Sequence, residues 1–136
     1  MGKLYLEVVT PEKVLVSQEV DTVVAPGTEG EFGVLPGHIQ FLSGIVPGEL
    51  RYEADGTRER MVLTTGFAEV SNDKVSILVD AAERASEIDI ERARQAMERA
   101  RERLGKGRGA EDVDFARAES ALKRAIARIK VAEKAI

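Results

Sequence analysis

The stretch DVDFARAESALKRAIARIKVAE, residues 112–133, decides the architecture. Phe115, Ala118, Leu122, Ala125, Ile129 and Ala132 recur at steps of three and four, which places them on one face of an α-helix. Either Asp112 or Asp114 is suited to cap the helix start, because a short carboxylate accepts the unpaired N–H groups of a first turn. Upstream, residues 81–104 contain neither glycine nor proline, and Ala93, Met97, Ala100 and Leu104 mark a second stripe. Between the stripes, Gly105-Lys106-Gly107-Arg108-Gly109 puts three glycines in five residues, too costly for a helix interior. Two helices, about 88–104 and 113–133, joined by a short glycine loop predict an antiparallel helical hairpin. Alanine dominates its seam. Alanine lets helices approach closely but buries little area, and burial yields only about 25 cal/mol per Å². Such a hairpin is expected to lean on another surface, and to be able to exchange one such surface for another.

Toward the amino terminus the period of the sequence shortens from a helix's to a strand's. LYLEVV, EVDTVVA, ERMVLTTG, FAEV and KVSILV, spread over residues 4–79, are rich in β-branched and aromatic residues. Pro26-Gly27, Pro36-Gly37, Pro47-Gly48, Asp55-Gly56 and Asn72-Asp73 punctuate them and read as turns. Closely spaced short strands predict a β-sandwich or flattened barrel. The expected organisation is therefore a β-sandwich docking domain over residues 1–84 and a helical hairpin over 85–136.

Charge divides along the same line. Residues 1–86 hold seven Lys/Arg against fourteen Asp/Glu, whereas residues 87–136 hold thirteen against ten. Two pieces so charged are expected to meet different partners. The tail's small positive excess, interrupted by acids, argues against nucleic acid, which calls for a dense basic patch. With no cysteine in 136 residues, thiolate metal sites and cysteine nucleophiles are excluded. MGKLYLEVVT lacks the apolar core of a secretory signal. No apolar run reaches the roughly 18 to 20 residues that span a bilayer, so membrane association is expected only through a partner.

Residues able to carry independent catalysis are scarce. His38, the only histidine, follows the Pro36-Gly37 turn and has no second histidine to share a metal. No serine sits in a nucleophile elbow, and no nucleophile, base and orienting group assemble. The glycines at 105–109 follow a helix and lack the GxxxxGK[ST] spacing of a phosphate loop. The arginines say more. Arg92 and Arg99 share a helical face with Asp89 one turn ahead, and Arg117, Arg124 and Arg128 share a narrow sector of the second helix. Periodicity leaves two readings open. One is a solvated face with local ion pairs; the other is an anion site, since guanidinium forks suit phosphate oxygens.

The segments GTEGEFGVLPGH, LTTGFAEV, VSILVDAAERA, EIDIERA and DVDFARAESALKRAIARIKVAE follow in order along nearly the whole chain. Together they resemble the epsilon subunit of the bacterial F-type rotary, proton-translocating ATP synthase. The resemblance implies a non-catalytic subunit of the central stalk, peripheral on the cytoplasmic face of the cell membrane. Its β-sandwich would dock on the gamma subunit and the membrane c-ring, with Gly33, Pro36, Gly37 and His38 in a rotor-facing loop, 33–42. Its hairpin would fold compactly or extend into the catalytic alpha/beta hexamer and block ATP hydrolysis. By the same resemblance Ile88-Asp89-Ile90-Glu91-Arg92-Ala93 matches the [I/L]DxxRA motif for ATP binding, joined by Glu83, Arg99, Arg124 and Arg128. No cofactor is expected to be tightly bound; ATP would be a regulatory ligand, and no metal ligands are assigned. In the extended state Arg117, Lys123, Arg124, Arg128 and Lys130 would meet acidic surfaces of the hexamer. The alternative, from the residues alone, is a β-domain adaptor whose hairpin binds a protein or nucleic acid.

Overall fold

The computed structural model describes residues 2–38, 40–106 and 114–134. Ten strands precede two helices among these residues, as the change of period requires. They are β1 (Leu4–Val9), β2 (Val14–Val20), β3 (Thr22–Gly27), β4 (Gly30–Val34), β5 (Phe41–Ile45), β6 (Gly48–Ala54), β7 (Thr57–Leu63), β8 (Gly66–Ser71), β9 (Lys74–Val79) and β10 (Ala82–Arg84). A single 3-10 turn, Ala85–Glu87, leads into α1 (Ile90–Gly105) and α2 (Phe115–Lys134).

The strands form one hydrogen-bonded path, β10-β7-β6-β3-β5-β8-β9-β1-β2, with β4 on the free side of β3. Its weakest link is β3 to β5, which share only the register pair Gly27↔Ile45. The path folds over there, placing β4-β3-β6-β7-β10 in one layer and β5-β8-β9-β1-β2 in the other. Among the described residues all pairings are antiparallel except β1 with β9. Leu4, Leu6 and Val8 of β1, Val75, Ile77 and Val79 of β9, and Ala68 and Val70 of β8 alternate inward, as period-two burial demands. Leu50, Tyr52, Met61 and Leu63 answer them from the other layer.

Arg84 closes the far side of the sandwich. From the end of β10, on the edge of the first layer, its Nη2 donates to the Leu15 carbonyl of β2, on the edge of the second, at 2.8 Å. Its Nη1 donates to the buried Tyr52 hydroxyl at 3.3 Å. Two open edges are thereby tied to each other rather than left to pair with another chain.

Three sequence expectations are corrected. Pro26-Gly27 is not a turn: Pro26 lies within β3 opposite Glu31, and Thr28-Glu29 makes the connection. A proline is tolerated there because its carbonyl still accepts, at 3.0 Å from the Val46 N–H. EVDTVVA is not one strand either, since Asp21 is a corner where the chain passes from one layer to the other. The segment 33–42 is only partly loop, because Gly33 belongs to β4 and Phe41 and Leu42 to β5.

The two hairpin turns that carry positive φ behave as their residues require. Asp55 and Gly56 (φ 52° and 80°) join β6 to β7, and Asn72 and Asp73 (φ 51° and 59°) join β8 to β9. These left-handed pairs match the twist of the strands they connect.

The helices run antiparallel: Arg94, near the start of α1, lies 3.9 Å from Glu133, near the end of α2. Their seam is Ala93 and Ala100 against Ala118, Ala125 and Ala132, all at most 3% exposed. Asp114 caps α2, its Oδ1 accepting the Arg117 N–H at 3.0 Å. The other candidate cap, Asp112, and the loop glycines Gly107 and Gly109 lie outside the described residues. A second apolar face of α2, Ala127 and Val131, rests on Val62 of β7 and on Ile88. The hairpin thus lies against the sandwich, on a seam far smaller than the sandwich core.

Candidate functional site, an arginine strip on the docked hairpin

The motif Ile88–Ala93 is built from residues with separate structural duties. Ile88 is buried between hairpin and sandwich, and Ala93 is fully buried against α2. Asp89 caps α1: its Oδ1 accepts the Arg92 backbone N–H at 3.0 Å, filling one of the orphan donors of the first turn. The Arg92 guanidinium, by contrast, is exposed and makes no ion pair with a described residue. Three positions of the motif hold the hairpin together, and the fourth points a free cation outward.

Which way it points follows from the helix period. The Arg94–Glu133 pair marks one flank of the hairpin. At 3.6 residues per turn Arg92 and Arg99 emerge on the other flank of α1, and Arg124 and Arg128 emerge on that same flank of α2. Arg128 faces β10 there: its Nε lies 2.8 Å from Glu83 Oε1, with side chains only 24% and 37% exposed. The Nε–H is not aimed along a hydrogen bond, so the contact is an attraction between close charges. Arg99 and Arg124 are exposed, with no ion pair to a described residue. Four guanidiniums from two helices therefore share one side of the hairpin, with one carboxylate engaging one of them. An arrangement of this kind suits a multivalent anion, since each fork can take two phosphate oxygens.

Arg103 belongs to the same strip and escaped the sequence reading. It follows Arg92 and Arg99 at the next recurrence of their face, a signal the spacing carried. With Asp114, Arg117 and Ala118 it lines a cavity of about 280 Å³ at the far end of the hairpin.

The remaining basic residues of α2 are placed differently. Lys123 pairs with Glu119 at 3.7 Å, one turn away. Lys130 is exposed on the opposite side of the Ala127–Val131 seam from the arginine strip. Lys134 reaches Glu49 of β6 at 3.4 Å. Glu49 is nearly buried, 9% exposed, and its other oxygen accepts from Arg60 at 2.9 Å and Arg51 at 3.3 Å.

At the other end of the molecule Pro36 and Gly37 form a turn, closed by the His38 N–H donating to the Leu35 carbonyl at 3.1 Å. Gly37 has φ +85°, a conformation that favours glycine, and its N–H donates to Asp73 Oδ1 at 2.7 Å. His38 stacks edge-on against Phe41 at 5.9 Å, and Phe41 against Phe32 at 5.0 Å. Leu35 and Leu42 stand 61% and 69% exposed beside them. Grouped large apolar side chains on a surface mark a contact region. Of the proposed rotor-facing residues, Pro36, Gly37 and His38 share this turn while Gly33 sits in the neighbouring strand.

Residues 3–133 match two family models in succession. Residues 3–85 match the β-sandwich domain of the ATP synthase delta/epsilon chain, and residues 86–133 match its long α-helix domain. The chain belongs to the ATP synthase delta/epsilon family. It is 53% identical over 132 residues to the ATP synthase epsilon chain of Nitratidesulfovibrio vulgaris, covering 97% of each chain. It is 54% identical to that of Syntrophobacter fumaroxidans, again over 97% of both. Among solved structures it is similar to a chain of the Euglena gracilis mitochondrial ATP synthase, solved as OSCP/F1/c-ring. That likeness has a TM-score of 0.82 at 28% identity, over 99% of this chain and 82% of that one. A chain from the central stalk and c-ring of the Tetrahymena thermophila enzyme shares the fold, with a TM-score of 0.62 at 16% identity. The expected sandwich followed by a helical pair is the fold observed, and the expected family is the one matched.

Proposed function

We propose that this epsilon-type subunit of an F-type ATP synthase is a non-catalytic coupling and regulatory element. Its sandwich docks on the gamma subunit and the c-ring, the latter through the Leu35–Leu42 end. The complex then holds it on the cytoplasmic face of the bacterial cell membrane. No helix among the described residues is long and apolar enough to cross a membrane. Its hairpin has two positions. Docked, it binds ATP along the arginine strip and permits turnover. Extended into the alpha/beta hexamer, it restrains ATP hydrolysis through Arg117, Lys123, Arg124, Arg128 and Lys130.

One observation carries this reading. Arg92, Arg99, Arg124 and Arg128 come from two helices onto the flank that also meets Glu83 of the sandwich. A polyphosphate lying there would touch groups that share a side only in the docked arrangement. A ligand shifts an equilibrium only by its differential affinity for the two states. If ATP binds the docked state alone, a hundredfold excess over Kd stabilises it by about 2.7 kcal/mol. Arg128 cannot face Glu83 and the hexamer at once, so the two positions exclude each other.

Calorimetric titration of the full chain with ATP tests the sensor. Saturable binding is expected, lost on Arg92→Ala or Arg124→Ala while the circular dichroism spectrum is retained. An absence of heat at millimolar ATP would remove the sensor and leave the coupling role. That role has its own test, retention of the chain on immobilised gamma subunit.

A further inference from the structure

A cleft between the two units lies away from the arginine strip. It occupies about 500 Å³ between α2 and the β5–β6 connection, lined by Val46, Pro47 and Gly48 on one side and Ile126, Ala127 and Val131 on the other. Lys123, Lys130 and Lys134 stand around it, with Glu49 at one end. We propose that this cleft binds an anionic amphiphile, a single acyl chain with a carboxylate head.

The apolar body of the ligand is dictated by the walls. Val46, Pro47, Ile126, Ala127 and Val131 offer no side-chain donor or acceptor, so a sugar or a peptide backbone would bury polar groups without partners. An alkyl chain incurs no such penalty. The volume lies within the roughly 300–1,000 Å³ typical of small-molecule clefts. The sign of the head follows from the charges. Three ammonium groups stand against two carboxylates: Lys134 lies 3.4 Å from Glu49, whose other oxygen is held by Arg60 and Arg51 from the sandwich, and Lys123 lies 3.7 Å from Glu119 on its own helix. Lys123 and Lys134 remain 66% and 54% exposed, and Lys130 makes no ion pair with a described residue. Long lysine stems also extend apolar surface beneath a charged tip, which suits the junction of tail and head.

The position of the cleft gives it a consequence. One wall is sandwich and the other is hairpin, so the cleft exists only while α2 is docked. A bound acyl chain therefore holds the hairpin down from the side opposite the arginine strip. Acyl carboxylates would thus act on the same two-position element as ATP without sharing its site.

The test uses the isotope-labelled full chain titrated with laurate below its micelle-forming concentration, followed by amide chemical shifts. Saturable shifts are expected at Val46, Gly48, Ala127 and Val131, with affinity falling about tenfold in the Lys123→Ala/Lys130→Ala double variant. Dodecyltrimethylammonium, with the same tail and opposite charge, should bind at least tenfold more weakly. No saturable shift, equal binding of the cation, or shifts centred instead on Phe67 and Leu78, an exposed apolar pair across β8 and β9, would overturn the proposal. Displacement of laurate by ATP would also overturn it, by giving the cleft to the nucleotide. Binding to phosphatidylglycerol vesicles without binding to free laurate would assign the lysines to a lipid surface and likewise refute it. Because ATP is read at Arg92 and Arg124 and laurate at Val46 and Ala127, either reading can fail alone.

Discussion

Truncating Val131 to alanine should undock the hairpin while leaving the sandwich intact. Val131 is 1% exposed and packs in the small seam with Val62, Ile88, Ala127 and Ala132. The change removes two methyl groups, about 0.8 kcal/mol each in transfer, and leaves a cavity that adds to the cost. A total near ~2 kcal/mol shifts the docked-to-released ratio about thirtyfold. The Arg128–Glu83 and Lys134–Glu49 contacts that remain are partly exposed pairs. Such pairs contribute about 1 kcal/mol or less each and do not make up the loss. Val75→Ala is the matched control: it deletes the same methyls from a fully buried position in β9, inside the sandwich core. The chain has no cysteine, so Glu59→Cys with Ser120→Cys provides two unique label sites, both exposed, one on each unit. The inter-label distance followed through a urea series should show release before sandwich unfolding. Val131→Ala should move only the first step and Val75→Ala chiefly the second. Saturating ATP, at about 2.7 kcal/mol for a hundredfold excess, should restore the Val131→Ala hairpin to its docked distance. A single transition moved equally by both variants would refute the view that the hairpin is a separately docked unit.

Gly66→Ala should cost at least 1–3 kcal/mol, because its new Cβ would stand 2.0 Å from the Leu78 carbonyl oxygen and 2.7 Å from Val79 Cα, backbone atoms that cannot turn aside; an unchanged melting temperature would contradict the close approach of β8 and β9. Asp89→Ala should destabilise α1 by about 1 kcal/mol through loss of its cap, and Asp89→Ser should recover most of it, as read by urea denaturation. If Ser recovers nothing, Asp89 is not stabilising the helix by capping. Arg51 forks onto Glu31 at 2.9 and 3.0 Å and holds its carboxyl below the ordinary range, and Lys3 does the same to Asp21 by a hydrogen bond. A native pKa lowered in this way gives stability that is present above the unfolded value near ~4 and lost as pH falls through the native one. Stability should therefore drop below about pH 4, and less steeply in Glu31→Gln; parallel acid titrations of the two proteins would count against it.

How much of this was legible in the sequence depended on whether one element alone supplied the signal. The hairpin announced itself because Phe115 to Ala132 keep a helical period and Asp114 stands where a cap is needed. β1, β8 and β9 were equally plain, each alternating inward over six residues. GEFGV and FLSGI carried too little signal, being short, glycine-bearing and exposed at Leu42, so β4 and β5 came only from the structure. Pro26 misled because a strand on a folded-over joint loses little from a missing N–H. The arginine strip was half visible. Each helix showed its own arginine face, but their meeting on one flank depends on Ala93 and Ala100 packing against Ala125 and Ala132. Ala127 and Val131 looked incidental, since only Val62 and Ile88, distant in sequence, give them a purpose. The lysine cleft was invisible for the same reason: Val46 and Lys130 become neighbours only when α2 docks.

If the hairpin is to leave without unravelling the sandwich, the division between them must fall at a definite residue, and the bonding places it after Arg84. Arg84 is tied to Leu15 and Tyr52 across the sandwich, and β10 pairs with β7 through Ala82↔Leu63 and Arg84↔Met61. Those contacts are independent of the helices. The next residues, Ala85–Glu87, form a single 3-10 turn, and Ile88 is the last buried anchor before Asp89 caps α1. Release therefore costs the Ile88–Val62–Val131 seam and two ion pairs, while Arg84 continues to close the sheet edge that would otherwise be exposed. Glu83 lies on the sandwich side of this division and Arg92 on the hairpin side. On the proposed function, a ligand contacting both would span the division, and that placement would let the strip report on hairpin position.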